Sequence, residues 1–224
     1  MIKQIHLDQC HSTQDVLKEQ LINSGSRDSI LISCDHQISG RGRGANSWIS
    51  LPGSVCFSLN IDPHQILSFT AIELAVILTD FFETKDLSLK LKWPNDLWNQ
   101  KLEKCGGILV QGSQGKLMAG IGLNLFSNHH EFGGIFSSEF SVDKKIWASD
   151  MGSFILKNRI TDIKKLKETW QNRCGHLNKI VTITEGTQVT EGIFQGLGEF
   201  GEALILCEGN IQRIYNGGLR ISQA

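Results

Sequence analysis

The chain has 224 residues, with 22 Lys and Arg against 23 Asp and Glu, a formal net charge of −1 and 40% apolar residues. Such a balance suits one globular domain, or one plus a small appendage. It excludes a disordered tail, a collagen-like repeat and a globally basic nucleic-acid coat. Glycine stands out, at 23 against 3 Pro, so the backbone must turn sharply or approach something closely at many points. No apolar run nears the roughly 18 residues of a membrane span. The start lacks a secretory h-region, so a cytoplasmic location is expected.

Ile2 to Leu7 alternates as a strand. Ser12 or Thr13 then caps a helix carrying Val16, Leu17 and Leu21, with Gly25 ending it. Ser29 to Cys34 is a buried strand. A glycine-rich polar loop, Gly40 to Trp48, leads into a strand at 55–61. Leu67 to Phe82 is a helix too apolar for the surface. Leu87 to Trp93 alternates as a half-buried strand, and Pro94-Asn95-Asp96 turns the chain. Strands at 105–111 and 116–125 form a hairpin through Gly112-Ser113-Gln114-Gly115. A long irregular loop covers 126–145, and helices follow at 147–157 and 162–173. Beyond Gly175, short β segments at 179–184, 190–195, 203–207 and 211–215 suggest a small barrel or sandwich. The boundary falls near 174–178.

The six cysteines are scattered, with no C-x-x-C pair, and read as reduced apolar fillers rather than zinc ligands. His129-His130 is an isolated pair in a loop. Three segments carry more chemistry. In Gly40-Arg41-Gly42-Arg43-Gly44-Ala45-Asn46-Ser47-Trp48, glycines let the backbone wrap a ligand. Arg41 and Arg43 suit phosphate or carboxylate, and Trp48 offers a ring face. Taken alone, the segment is a weak signal that a solvated surface loop also explains; an RNA-binding tract would repeat the pattern, which occurs once here between two strands, and no Gly-Lys-Ser/Thr follows to make a Walker loop. In Lys92-Trp93-Pro94-Asn95-Asp96, a strand tip presents Asn and Asp. Lys92 can neutralise phosphate and Asp96 can accept from a ligand N–H, although a plain turn explains the same residues. In Lys104-Cys105-Gly106-Gly107, continuing to Gly120-Ile121-Gly122-Leu123-Asn124, glycines inside strands point to close approach of a ligand or to bulges.

Together, in this order, these segments resemble the biotin–protein ligase family. Ser12-Thr13, the GRGR…W loop, KWPND at 92–96, K-x-x-G-I-L at 104–109 and G-x-G-x-N at 120–124 all match. The resemblance covers nearly the whole chain. It implies an α+β fold, a mixed sheet flanked by helices of the class II synthetase-like kind, over residues 1–175. A small SH3-like β barrel would follow over 176–224. The implied activity converts biotin and MgATP to biotinyl-5′-AMP, then passes biotin to one lysine of a carrier domain. That carrier would be the biotin carboxyl carrier protein of acetyl-CoA carboxylase or of a related carboxylase.

The resemblance also implies residue roles. Ser12, Thr13, Gln37 and the Gly107 backbone would contact biotin. Arg41 and Arg43 would hold carboxylate and phosphates. Trp48 and Asn124 would lie near adenine. Lys104 would bridge the biotin carboxylate and the α-phosphate as the principal catalytic residue, with Arg41 and Asp96 beside it and Lys101 as its rival. Lys92 and Asn95 would serve the nucleotide. Mg2+ would come with ATP, near Asn95 or Asp96, with no metal site made by the protein alone. Gln14 stands where Asn is common, and Gly44-Ala45-Asn46 replaces further arginines, which would weaken retention of the adenylate. No helix-turn-helix precedes the first motif, so neither repression nor a DNA partner is expected, and the lack of a long apolar run leaves no membrane partner expected either. A lipoate or octanoate ligase, or a non-catalytic biotin or adenylate sensor, is the alternative.

Overall fold

The computed structural model describes residues 2–24, 29–113 and 116–222. The helix end expected at Gly25, and the Gln114-Gly115 part of the hairpin turn, lie outside the described residues. Strands β1 (Ile2–Cys10), β2 (Ser29–Gln37), β5 (Ser54–Ile61), β6 (Lys90–Lys92), β7 (Asp96–Trp98), β8 (Lys104–Ser113) and β9 (Lys116–Asn124) form a seven-stranded sheet. Its order is β1-β2-β5-β9-β8-β7-β6. β1 and β2 run parallel, because helix α1 (Thr13–Ser24) crosses between them, and the remaining neighbours pair antiparallel. Two short strands, β3 (Gly40–Arg41) and β4 (Ser47–Trp48), pair as a ribbon at the base of the glycine-arginine loop.

Side chains alternate across this sheet. Val55, Phe57 and Leu59 of β5, with Ala119, Ile121 and Leu123 of β9, enter the main apolar core. Helices α2 (Phe69–Glu83) and α3 (Lys144–Lys157) contribute to that core. On the other face Leu17 and Leu21 of α1 pack on Ile30, Ile32 and Met118. Asp143 caps α3 by accepting from Ile146 N at 2.9 Å, and Asp162 caps α4 (Ile163–Arg173) by accepting from Lys165 N at 3.1 Å.

The carboxyl-terminal strands β10 (Ile180–Glu185), β11 (Gln188–Leu197), β12 (Ala203–Cys207), β13 (Asn210–Ile214) and β14 (Gly218–Ile221) form an antiparallel sheet, ordered β13-β12-β11-β10-β14. β13 and β14 stand at the two ends of that order, and the five antiparallel strands are consistent with the expected small SH3-like domain, with no barrel-closing pair among the described residues. Val181, Ile183, Phe194 and Leu219 join the same apolar core as α2 and the large sheet. Trp93 fastens the two sheets, its Nε1 donating to Gly201 O at 3.0 Å.

Four strands went unpredicted. β3 and β4 are two-residue strands inside the stretch read as a glycine-rich loop. β7 is three residues directly after a Pro-Asn turn, too short to show a period. β14 follows Gly217-Gly218, which signals a turn; its pairing with β10 defines it as a strand. The expected strand at 87–93 narrows to β6. No helix among the described residues is long and apolar enough to cross a membrane.

Candidate active site

The face of the large sheet that carries α1 is only partly covered by it. Beyond the helix, that face carries small and polar residues: Cys56 and Ser58 of β5, and Gly120, Gly122 and Asn124 of β9. Two glycines make room for specific neighbours. A Cβ on Gly120 would lie 2.6 Å from Gln14 Nε2, and one on Gly122 would lie 2.5 Å from Trp48 Cε2. The Trp48 indole therefore lies on the sheet over Gly122, with Nε1 donating to Cys56 Sγ at 3.1 Å.

Next to this point opens a cleft of about 830 Å3, within the usual range for a small-molecule site. Arg43, Trp48, Lys92, Asn95, Asp96, Lys104 and Gly107, all expected from the sequence, line it. At its centre Asp96 bridges two lysines, with Lys104 Nζ 2.8 Å from Oδ1 and Lys92 Nζ 3.2 Å from Oδ2. The β6–β7 hairpin pairs Lys92 with Asp96, and β8 brings Lys104 beside them. Lys104 Nζ also lies 3.8 Å from the point where a Gly107 Cβ would sit, so the missing side chain leaves the ammonium a free approach. Lys101, the rival, is exposed on the β7–β8 turn and does not line the cleft.

The two arginines separate. Arg43 enters the cleft, its Nη1 donating to Asn95 Oδ1 at 3.3 Å and to Gly217 O at 3.4 Å, and its Nη2 donating to Asn216 Oδ1. All three acceptors are neutral, so among the described residues no carboxylate lies directly against its charge. Burial lowers the guanidinium from its ordinary value, and the charge of Asp96 offsets part of this. Arg41 instead points to α1, with Nη2 2.9 Å from Asp15 Oδ1, and does not line the cleft.

The remaining predicted residues also lie outside the cleft lining. Thr13 N and Thr13 Oγ1 donate to Gln37 Oε1 at 2.8 and 3.1 Å, and Thr13 Oγ1 shares a 2.8 Å hydrogen bond with Ser58 Oγ. Ser12, Thr13, Gln14 and Gln37 are all buried. They adjoin the cleft through Gln14, which donates from Nε2 to Leu109 O at 3.0 Å and rests on Gly120. Asn124 is buried at the end of β9, accepting from Ser54 Oγ at 2.7 Å.

Sequence reasoning missed part of the wall. Thr184, Leu219 and Arg220 of the small sheet, with Phe132 of the long loop, line the cleft. Only Gly217-Gly218 signalled that region. Among the described charged residues, the lining holds Arg43, Lys92, Lys104 and Arg220 against the one carboxylate of Asp96. A chain of net charge −1 thus concentrates positive charge where a small anion can be bound.

Residues 7–128 match the model of the biotin/lipoate A/B protein ligase family. The chain belongs to this family. Residues 176–218 match the biotin protein ligase C-terminal domain. Among relatives, the Homo sapiens biotin–protein ligase is 24% identical over 135 residues, covering 53% of this chain and 18% of that protein. The bifunctional ligase/repressor BirA of Bacillus subtilis is 31% identical over 139 residues, covering 57% of this chain and 42% of that protein. The match thus spans less than half the length of either curated relative. The solved Aquifex aeolicus biotin protein ligase in complex with biotin and ATP superposes with a TM-score of 0.80 at 27% identity, covering 98% of this chain and 99% of that one.

Proposed function

We propose that this family member is an ATP-dependent biotin–protein ligase. It would form biotinyl-5′-AMP and pass biotin to a lysine of a biotin carboxyl carrier domain. The observation that carries the reading is the Lys92–Asp96–Lys104 cluster, lying with Arg43 in one cleft. The match of 176–218 to a biotin-type domain, and the Aquifex aeolicus neighbour with biotin and ATP, favour biotin over lipoate.

In the first step a biotin carboxylate oxygen attacks the α-phosphorus of ATP. The bond from that phosphorus to the bridging oxygen breaks, and pyrophosphate leaves. Two anions meet, so cations must offset the charge developing around phosphorus. Lys104 supplies one at the attacking carboxylate and the α-phosphate, and Lys92 and Arg43 supply others. Arg41 takes a lesser part while Asp15 holds it. Ser12, Thr13, Gln37 and Gly107 would hold biotin, and Trp48, Asn95 and Asn124 the nucleotide. The mixed anhydride hydrolyses readily, so the β3–β4 loop has to cover it.

In the second step the acceptor amine attacks the biotinyl carbonyl and AMP leaves. The amine must be neutral to attack. Once Lys104 has turned to phosphate, Asp96 is free to take the amine's proton.

Magnesium enters as part of the nucleotide substrate. Among the described residues no group of three His, Cys, Asp or Glu could hold a metal, and two lysines already engage Asp96. Those donors do not fit a resident ion. A cytoplasmic site of action belongs to the same proposal, in keeping with six cysteines that are all free thiols. The division into a catalytic unit over 1–175 and a β unit over 176–224 does too.

The test is to incubate the full chain with MgATP, a carrier domain and either biotin or lipoate, then read the mass added to the carrier. Addition of biotin is expected. Transfer of lipoate without biotin would overturn the reading.

A further inference from the structure

Gln14 is 4% exposed, and its Nε2 donates to Leu109 O at 3.0 Å. Its Oε1 is buried and has no hydrogen-bond partner among the described residues. A buried carbonyl left unpaired is costly, so such an atom calls for a donor. The bond to Leu109 uses the amino end of the amide, and the end left over can only accept. Leu109 and Gly120, the two residues this side chain rests against, both line the cleft. Nearby, Thr13, Gln37 and Ser58 are hydrogen-bonded among themselves. Gln14 Oε1 is therefore an acceptor that a ligand need not take from the protein.

The order of residues along β9 says which part of a ligand would reach it. Gly120, Gly122 and Asn124 follow one another on one face of that strand. In the middle, Gly122 pairs with Gly107, beside Lys104 Nζ. Gln14 sits at the Gly120 end, where Gly120 pairs with Ser58 and Ser58 meets Thr13. Asn124 lies at the opposite end. With the reacting carboxylate at Lys104, the biotin ring and the nucleotide base extend in opposite directions, the ring toward Thr13 and Gln37. The N–H donors of biotin are both on its ureido ring, whereas the dithiolane ring of lipoate carries none.

We propose that Gln14 Oε1 accepts a ureido N–H of biotin and so selects biotin over ligands whose ring has no donor. This deepens the ligase reading given above and rests on it. The Leu109 bond holds the acceptor in place before the ligand arrives, so little ordering is lost on binding. A dithiolane ring in the same place would leave the carbonyl unpaired, which is how a polar site rejects an analogue that lacks a donor.

The experiment compares the full-length chain with Gln14→Met, which keeps the size and removes the acceptor, and Gln14→Asn, which keeps a shorter amide. Calorimetric titration with biotin alone gives a readout independent of ligation. Gln14→Met should raise the Kd about tenfold, the cost of one buried donor left unpaired. Gln14→Asn should lose less. In biotin-dependent ATP–pyrophosphate exchange, Gln14→Met should raise KM for biotin far more than it lowers kcat, because the contact is made before and during the reaction alike. Unchanged biotin affinity in Gln14→Met would overturn the proposal. So would equal losses in the two variants, which mark a packing role, or a loss in kcat as large as that in KM. A wild-type chain that binds no biotin would end the ligase reading and the proposal together. Binding by the wild type with no loss in Gln14→Met would end the proposal alone.

Discussion

Lys104 Nζ lies 2.8 Å from Asp96 Oδ1, and Asp96 Oδ2 at the same time accepts from Lys92 Nζ at 3.2 Å. The carboxylate is thus held by one lysine on each oxygen. Lys104 can leave for a phosphate while Lys92 still fixes the Asp96 side chain. The two half-reactions proposed for this cleft use that exchange, first the freed lysine and then the freed carboxylate.

Lys104→Ala is expected to lower biotin-dependent ATP–pyrophosphate exchange by about a hundredfold or more, the usual cost of removing a charge-stabilising group. Its melting temperature should stay near wild type, because the side chain is 38% exposed. Lys101→Ala should lose far less exchange, since that residue sits on an exposed turn. Near-normal exchange in Lys104→Ala would remove the assignment.

Asp96→Asn keeps the shape but not the charge. Transfer from supplied biotinyl-5′-AMP should fall more than adenylate formation does, since only transfer needs a proton acceptor. Lys92 and Lys104 would then face each other without a counter-charge, so a modest fall in melting temperature should accompany it. An Asp96→Asn protein that transfers biotin at the wild-type rate would refute the base role.

Arg43 ties the β3–β4 loop to Asn95 of the large sheet and to Asn216 and Gly217 before β14. Arg43→Ala should therefore release biotinyl-5′-AMP faster, and by a larger factor than Arg41→Ala, whose guanidinium is held on α1. Asn216→Ala should give an intermediate rate. The measurement is dissociation of radiolabelled adenylate from preloaded protein. Equal rates for all three variants and wild type would dismiss the latch.

How much of this was legible beforehand follows from where the signals lie. The long elements carry apolar periods, so α2 and the β8–β9 hairpin could be read directly. Lys92, Asp96 and Lys104 could be read because they fall within 13 positions of one another in a contiguous stretch. Arg41 and Arg43 looked equivalent because they stand two residues apart in one glycine-rich segment, although Arg41 ends β3 and Arg43 lies in the loop beyond it. Only the fold shows that Asp15 holds one while the other enters the cleft. Arg220 and Phe132 carried no local signal, since each becomes a wall only when distant segments pack together.

His176 is buried among Trp98, Trp170 and Phe194, and its Nε2 has no hydrogen-bond partner among the described residues. Burial, with smaller contributions from Lys92 and Lys179, pushes its pKa down to about 3 from an ordinary 6.5. The unfolded chain therefore binds a proton here between those values that the folded chain refuses. Stability from this group is fully present above about pH 6.5 and falls as the pH drops toward 3. Urea unfolding at pH 7 and pH 5 should show His176→Phe losing about 2 kcal/mol less than wild type over that interval. Equal losses would mean that the ring takes up its proton without opening the core.

Gly107 and Gly122 allow the cleft and the fold to be tested apart. A Cβ on Gly107 would come no closer than 3.7 Å to Asp96 Oδ1 and Lys104 Cε, an ordinary contact. Gly107→Ala should fold with an unchanged melting temperature. It should also raise KM for biotin if ligand passes over this strand, as proposed. A Cβ on Gly122 would come within 2.5 Å of the Trp48 ring, so Gly122→Ala must displace the indole. The shift should appear in tryptophan fluorescence before any ligand is added. A Gly107→Ala protein with wild-type KM for biotin would move the biotin path away from β8, whatever the outcome at Gly122.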